Sequence, residues 1–252
     1  KKINMKKKIL IIMALSLAIV GCSKVSEQQP IVTPKDKIDL AQFASVAATD
    51  YGYWHNYALD VTDSIWWVDT TIGIDSVANA MRIKLSAANS DFSGVTKQDL
   101  DNMLNSTLMQ SYLGHIGDDE VTFCNYVRGK LTEIYNEETI SEDLYDGLYD
   151  VMDPYKTYSQ RVSAMSNINT ASLSTDEANL VIAMKSVLTS SNQYWIDFEQ
   201  SINGTGRQLT KPGMGKLVDF VALGFAAFST GGFGLIGGLF ISAACSSAWS
   251  DT

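Results

Sequence analysis

The chain predicts an all-α fold, a multi-helix bundle, on three observations. Only one of its four prolines, Pro154, lies between Ile38 and Gln208, which suits long helices better than a loop-rich β fold. Small polar residues recur just ahead of apolar residues spaced three and four apart, the pattern of capped amphipathic helices. No stretch alternates apolar and polar residues over a useful strand length, and no internal repeat is present.

Taken in order, helices are expected over 38–67 and 74–88. Thr96 with Asp99 opens the next, which runs through Leu100, Leu104, Leu108 and Tyr112 and stops near Gly114 to Gly117. Asp118 and Asp119 start another, since negative charge suits the positive end of a helix. Its inward residues are read as Val121, Cys124, Val127, Leu131 and Ile134. A pair over 141–152 and 155–168 is broken or kinked at Pro154. Ser174 and Glu177 form the clearest capping box, opening a helix with Leu180, Met184, Val187, Leu188, Trp195, Phe198 and Ile202 on one face.

The segment 204–215, with Gly204, Gly206, Pro212 and Gly213, reads as a linker, and 216–252 as an apolar tail. No charged residue occurs from 220 to 250, a run of 31 residues. As one helix it would extend about 46 Å, more than the roughly 30 Å hydrocarbon core of a bilayer. Gly224, Gly231 and Gly238 lie seven apart, with Gly234 near the same face, a small-residue stripe that lets another backbone approach closely. The six glycines of the run cost about 1 kcal/mol each against alanine in a helix interior. Close packing or lipid must offset that, or the chain breaks at 230–234 into a helical hairpin. Three readings stay open for the tail: a buried helix or hairpin, a membrane-inserting element, or a self-association surface.

At the other end, Lys6 to Lys8 precede a twelve-residue apolar run, Ile9 to Val20, which ends in Ile19-Val20-Gly21-Cys22. This looks like a bacterial lipoprotein signal, with Met5 as the start and Cys22 as the lipidated residue after cleavage; the run is too short to span. Residues 1–21 are thus expected to be the leader, 22–37 a flexible tether carrying Pro30 and Pro34, and 38–203 the helical domain. Such a protein belongs to the cell envelope, at the outer membrane. Ser23 to Glu27 lack the run of acids that surface-exported lipoproteins often carry, so the periplasmic face is favoured.

The whole chain has a net charge of −9, and removing the five leader lysines leaves 14 basic against 28 acidic residues, a net of −14. That balance and the lack of a basic stripe disfavour nucleic acid and electrostatic docking on anionic lipid. Membrane contact is expected through the N-terminal lipid and, in the alternative reading, through the tail. Beyond Cys22, Cys124 and Cys245 lie in apolar patterns and read as buried thiols, with no zinc or redox spacing.

Aromatic residues, Trp54 among them, crowd 51–67 and are interspersed with His55, Asn56 and Asp60. The group is a candidate stacking platform for a sugar or peptide, or simply the heart of a core. His55 is a candidate general base beside Asp60; a hydrogen bond to a neighbouring helix is the plainer role. The acids from Glu137 to Asp153 do not follow a calcium-loop pattern and read as a solvated face. No nucleophile elbow, phosphate loop, dinucleotide fingerprint or metal-binding histidine pair occurs, so neither enzyme activity nor a cofactor is expected.

Three pieces together carry a resemblance: Gly52-Tyr53-Trp54-His55-Asn56-Tyr57-Ala58-Leu59-Asp60 soon after the leader, Tyr194-Trp195 late in a long helix, and the glycine-rich tail. The set resembles small Bacteroidota lipoproteins with a G-x-x-H-N-x-x-L-D pattern and a bacteriocin-like tail. Here the tail departs by carrying Phe225, Phe228, Phe233 and Phe240. The resemblance implies location and architecture and names no activity. The leading expectation is a lipid-anchored, non-enzymatic envelope protein acting through protein contacts. The alternatives are a membrane-active, toxin-like protein whose tail inserts, and an aromatic glycan- or peptide-binding module.

Overall fold

The computed structural model describes residues 46–66, 73–202, 214–230 and 234–250. Cys22, the leader, the tether, most of the 204–215 linker, Trp67 and Gly231 lie outside the described residues, as does the side chain of Trp66. Ten α-helices and two 3-10 turns make up the described chain, and no strand occurs among its residues. The helices are α1 (Tyr51–Trp66), α2 (Ile74–Ala88), α3 (Lys97–Leu104), α4 (Thr107–Leu113), α5 (Glu120–Asn136), α6 (Glu142–Val151), α7 (Tyr158–Asn167), α8 (Thr175–Ile202), α9 (Gly215–Ser229) and α10 (Leu235–Ser250).

Helix starts follow the sequence closely. Thr96 with Asp99, and Ser174 with Glu177, form reciprocal capping boxes, and Thr157 with Gln160 forms a third. Glu177 also accepts the Ser141 backbone N–H at 2.7 Å, so one carboxylate ties the starts of α6 and α8 together. Three expectations need correction. Residues 46–50 are extended chain and a 3-10 turn, so the first described helix begins at Tyr51. The helix expected from Thr96 to Tyr112 is two, because Ser106 caps a new start by accepting the Met109 N–H. Val121 is exposed, and Phe123 takes the inward position on α5 instead.

The centre of the bundle is the pair α9–α10. Thr230 meets Gly234, Leu223 and Ala226 meet Gly238, and Asp219 meets Ser242. Contacts at falling and rising numbers mean that the two helices run antiparallel. From Gly215 to Phe228 every residue except Lys216 is buried, and Ile236 to Ser246 are buried as well. A helix apolar all round must be enclosed all round. The enclosure comes from α8 and α4 on α9 and from α1, α2 and α3 on α10, with α5, α6 and α7 as a further layer against α8 and one another. Phe225 sits edge-on to Tyr112, and Phe240 packs on Phe92, which Trp54 covers.

The glycines make this closeness possible. At Gly238 an added Cβ would lie 3.0 Å from both Leu223 Cδ1 and the Leu223 carbonyl oxygen, so α9 and α10 touch almost backbone to backbone. Gly224 and Gly234 instead receive the flexible ends of Met184 and Met103. Among the described residues no helix is long and apolar enough to cross a membrane. At 15 and 16 residues, α9 and α10 reach about 22 and 24 Å. Cys124 and Cys245 are both buried and free.

Candidate functional site at the helix crossing

Four helices meet at Asp219, the last charged residue before the uncharged run. Its carboxyl has no solvent exposure. Trp195 of α8 donates its indole N–H to Asp219 Oδ2 at 2.9 Å, and His55 of α1 places Nε2 3.7 Å from Oδ1. Ser191, one turn before Trp195 and also buried, lies beside the same carboxyl. Ser242 of α10 donates to the Asp219 backbone carbonyl at 2.6 Å, while Tyr112 of α4 donates to that of Val218 at 2.8 Å.

Local sequence explains how these groups arrive. Gly52 lets α1 cross α8 in close contact: its N–H donates to Ser186 Oγ at 2.9 Å, and a side chain there would overlap Ser190 and the Ser186 carbonyl. One turn on, Asn56 donates to the Ser190 carbonyl at 3.0 Å and locks the crossing. His55 is thereby turned inward, and Asp60 outward to solvent. His55 therefore faces Asp219, not Asp60. On the other side, a Cβ at Gly215 would collide with the Trp195 ring. Trp195 lies across Gly215 and reaches Asp219 one turn later. The three sequence pieces behind the resemblance, the G-x-x-H-N segment, Tyr194-Trp195 and the glycine-rich tail, thus close on one buried point.

Burial sets the electrostatics. It lowers the His55 pKa to about 4, against a weak contact of Nδ1 with Asn56 Oδ1 at 3.4 Å that favours the charged form. It raises Asp219 well above the usual carboxyl range, outweighing the Trp195 hydrogen bond and the nearby Ser191 hydroxyl. Both shifts favour the uncharged forms of the two groups. His55 Nε2, Asp219 Oδ1 and Ser191 Oγ make no hydrogen bond of good geometry.

The residue types match a serine hydrolase, but the order does not. In a catalytic triad the histidine stands between serine and acid, and the serine reaches a substrate. Here the acid stands between serine and histidine, and all three are sealed. The chemistry of this arrangement is that of a polar pin holding four helices.

Of the aromatic residues described between 51 and 57, Tyr51 is buried, Trp54 and Tyr57 are half-buried and edge-on to each other, and Tyr53 is well exposed, at 64 %. No group of His, Cys, Asp or Glu suited to a metal ion occurs among the described residues. Sequence reasoning found His55, Asn56 and Trp54 but missed Asp219, Ser191 and Tyr112. The available signal was Asp219 itself, a lone acid at the head of a long uncharged run. Compared with protein-family models, curated proteins and solved structures, the chain matches none.

Proposed function

We propose that this is a lipid-anchored protein of the bacterial cell envelope, held at the outer membrane through Cys22 and acting through protein contacts, without catalysis of its own. The observation that carries the reading is the crossing at Asp219. It commits the buried His55 and Asp219 to joining helices in the interior, and it builds the apolar tail into the core. What remains for function is the acidic helical exterior, displayed on a tether from the membrane. The lipobox-like Ile19 to Cys22 supports the anchor.

Metabolic labelling with a fatty acid tests the anchor. Label is expected on the full chain in the membrane fraction and not on Cys22→Ser. A full chain without label, or one released with the soluble fraction, overturns the anchor.

A second reading, a membrane-active protein, draws on one observation: the α9–α10 pair is uncharged from Phe220 onward and burial pushes its single acid toward the neutral form. Against it stand the lengths of the two helices, each shorter than a bilayer core. Dye-loaded vesicles separate the two. The first reading expects no release by the Cys22→Ser protein at neutral or acid pH, and release that depends on the tail would replace it with the second.

A further inference from the structure

Away from the crossing, a cavity of about 330 Å³ opens where the start of α5, the turn before α7 and the start of α9 meet. Its wall includes Tyr155, Lys156, Tyr158, Arg161, Lys216 and Glu120. The described residues contain nine lysines and arginines, and three of them converge here on an otherwise acidic molecule. With Glu120 in the wall and the Asp150 carboxylate paired to Lys156, these groups carry a net charge of +1.

Each cation is held in place. Arg161 is 1 % exposed; it donates to the Val151 carbonyl at 2.7 Å and to Glu120 at 2.9 Å, so its charge is fixed behind the wall. Lys156 donates to the Asp150 carbonyl at 2.9 Å and pairs with the Asp150 carboxylate. Lys216 donates to Asn192 at 2.9 Å and stands 4.4 Å above the Tyr158 ring. Beside them Tyr155 is 85 % exposed, the most exposed large apolar side chain among the described residues. An aromatic ring standing in solvent next to fixed cations offers a flat face and a charge within one small volume.

From this juxtaposition we infer that the cavity binds an anionic monosaccharide, with its carboxylate or phosphate toward Lys156 and Lys216 and its ring against Tyr155. The volume sits at the lower end of small-molecule sites, which suits a single sugar. Lysine ammonium groups supply up to three donors each, and an anion here would compete for them with the Asp150 and Asn192 contacts. Arg161 contributes a fixed positive field from behind. Lys216 also begins α9, so a ligand bound here would fasten the end of the buried pair. The site stands independently of the lipid anchor and of the protein contacts proposed above.

Isothermal titration of the full chain in detergent tests the assignment, with glucuronate, glucose 6-phosphate, glucose and inorganic phosphate as probes. Saturable binding is expected for the two charged sugars and much weaker binding for glucose and for phosphate alone. Lys156→Gln and Lys216→Gln should each weaken the charged sugars about tenfold, the loss of one charge-assisted hydrogen bond. Tyr155→Ala should weaken them while leaving the response to phosphate alone unchanged. Tyr155 is too exposed for its loss to unfold the protein, so that variant tests the site even if Lys216→Gln does not fold. Three results would each overturn the proposal: no saturable binding of either charged sugar, binding unaffected by Lys156→Gln and Tyr155→Ala, or phosphate alone binding as tightly as the sugars.

Discussion

Asp219 and His55 govern how stability responds to pH, because their ionisation differs between folded and unfolded chain. Burial lowers His55 to about 4, so on its own the histidine makes stability fall as pH drops from about 6.5 towards 4. Burial raises Asp219, so on its own the carboxyl makes stability fall as pH rises from the ordinary carboxyl value upward. The two effects oppose each other, so the profile of the intact pair is flatter than that of either group alone. In Asp219→Asn only the histidine remains, so stability should fall as pH drops below about 6.5 and level off near 4. In His55→Gln only the carboxyl remains, so stability should fall as pH rises from the ordinary carboxyl value upward. Denaturant titrations across pH check all three profiles. Trp195→Phe, which strips Asp219 Oδ2 of its donor, should cost about 1–3 kcal/mol at neutral pH by the same measurement. The histidine was visible in the sequence but its partner was not. Asp60 is five positions from His55 and turns to the opposite side of the helix, whereas Asp219 arrives from the far end of the chain.

At the scale of elements, glycines differ by what faces them. Gly52 faces the Ser186 carbonyl and Ser190, neither of which can withdraw, whereas Gly237 faces the tip of Met103. Gly52→Ala should therefore cost about 2 kcal/mol or more from overpacking. Gly237→Ala should be close to neutral, as the helix propensity gained, about 1 kcal/mol, offsets the shift of a flexible side chain. Thermal melts of the two variants test the ranking, and a Gly237→Ala loss as large as that of Gly52→Ala would contradict it. Helix starts were legible because a cap is a local event between residues three apart, as at Thr96 and Ser174. The break at Asn105-Ser106 was hidden by Leu100, Leu104, Leu108 and Tyr112, whose spacing continues across two short helices as if through one. On α5, Val121 and Phe123 fall on different sides of the helix, and the larger ring took the interior.

For the molecule as a whole, the tail is the structural centre, and spacing alone left its place open among core, bilayer and self-association. Nothing in a run of uncharged residues says what will surround it. In the folded chain Met184, Met103, Phe92 and Tyr112 reach into the pair from four different elements. Ending the chain at Gln208 should therefore remove the core. The expected product keeps much of its helical circular dichroism, loses its cooperative melt and binds a hydrophobic dye. A shortened chain that still melted cooperatively would mean that α1 to α8 hold together without the pair.

The position of that pair along the chain sets an order of events. Residues 51–202 are made before residues 215–246, yet they surround them in the finished protein, and His55 waits for a partner more than 160 positions away. Contacts so distant in sequence close slowly, because the entropy of a long loop is lost before the contact rewards it. Emerging from a ribosome or a translocation channel, residues 51–202 cannot complete their native packing until residues 215–246 have followed them.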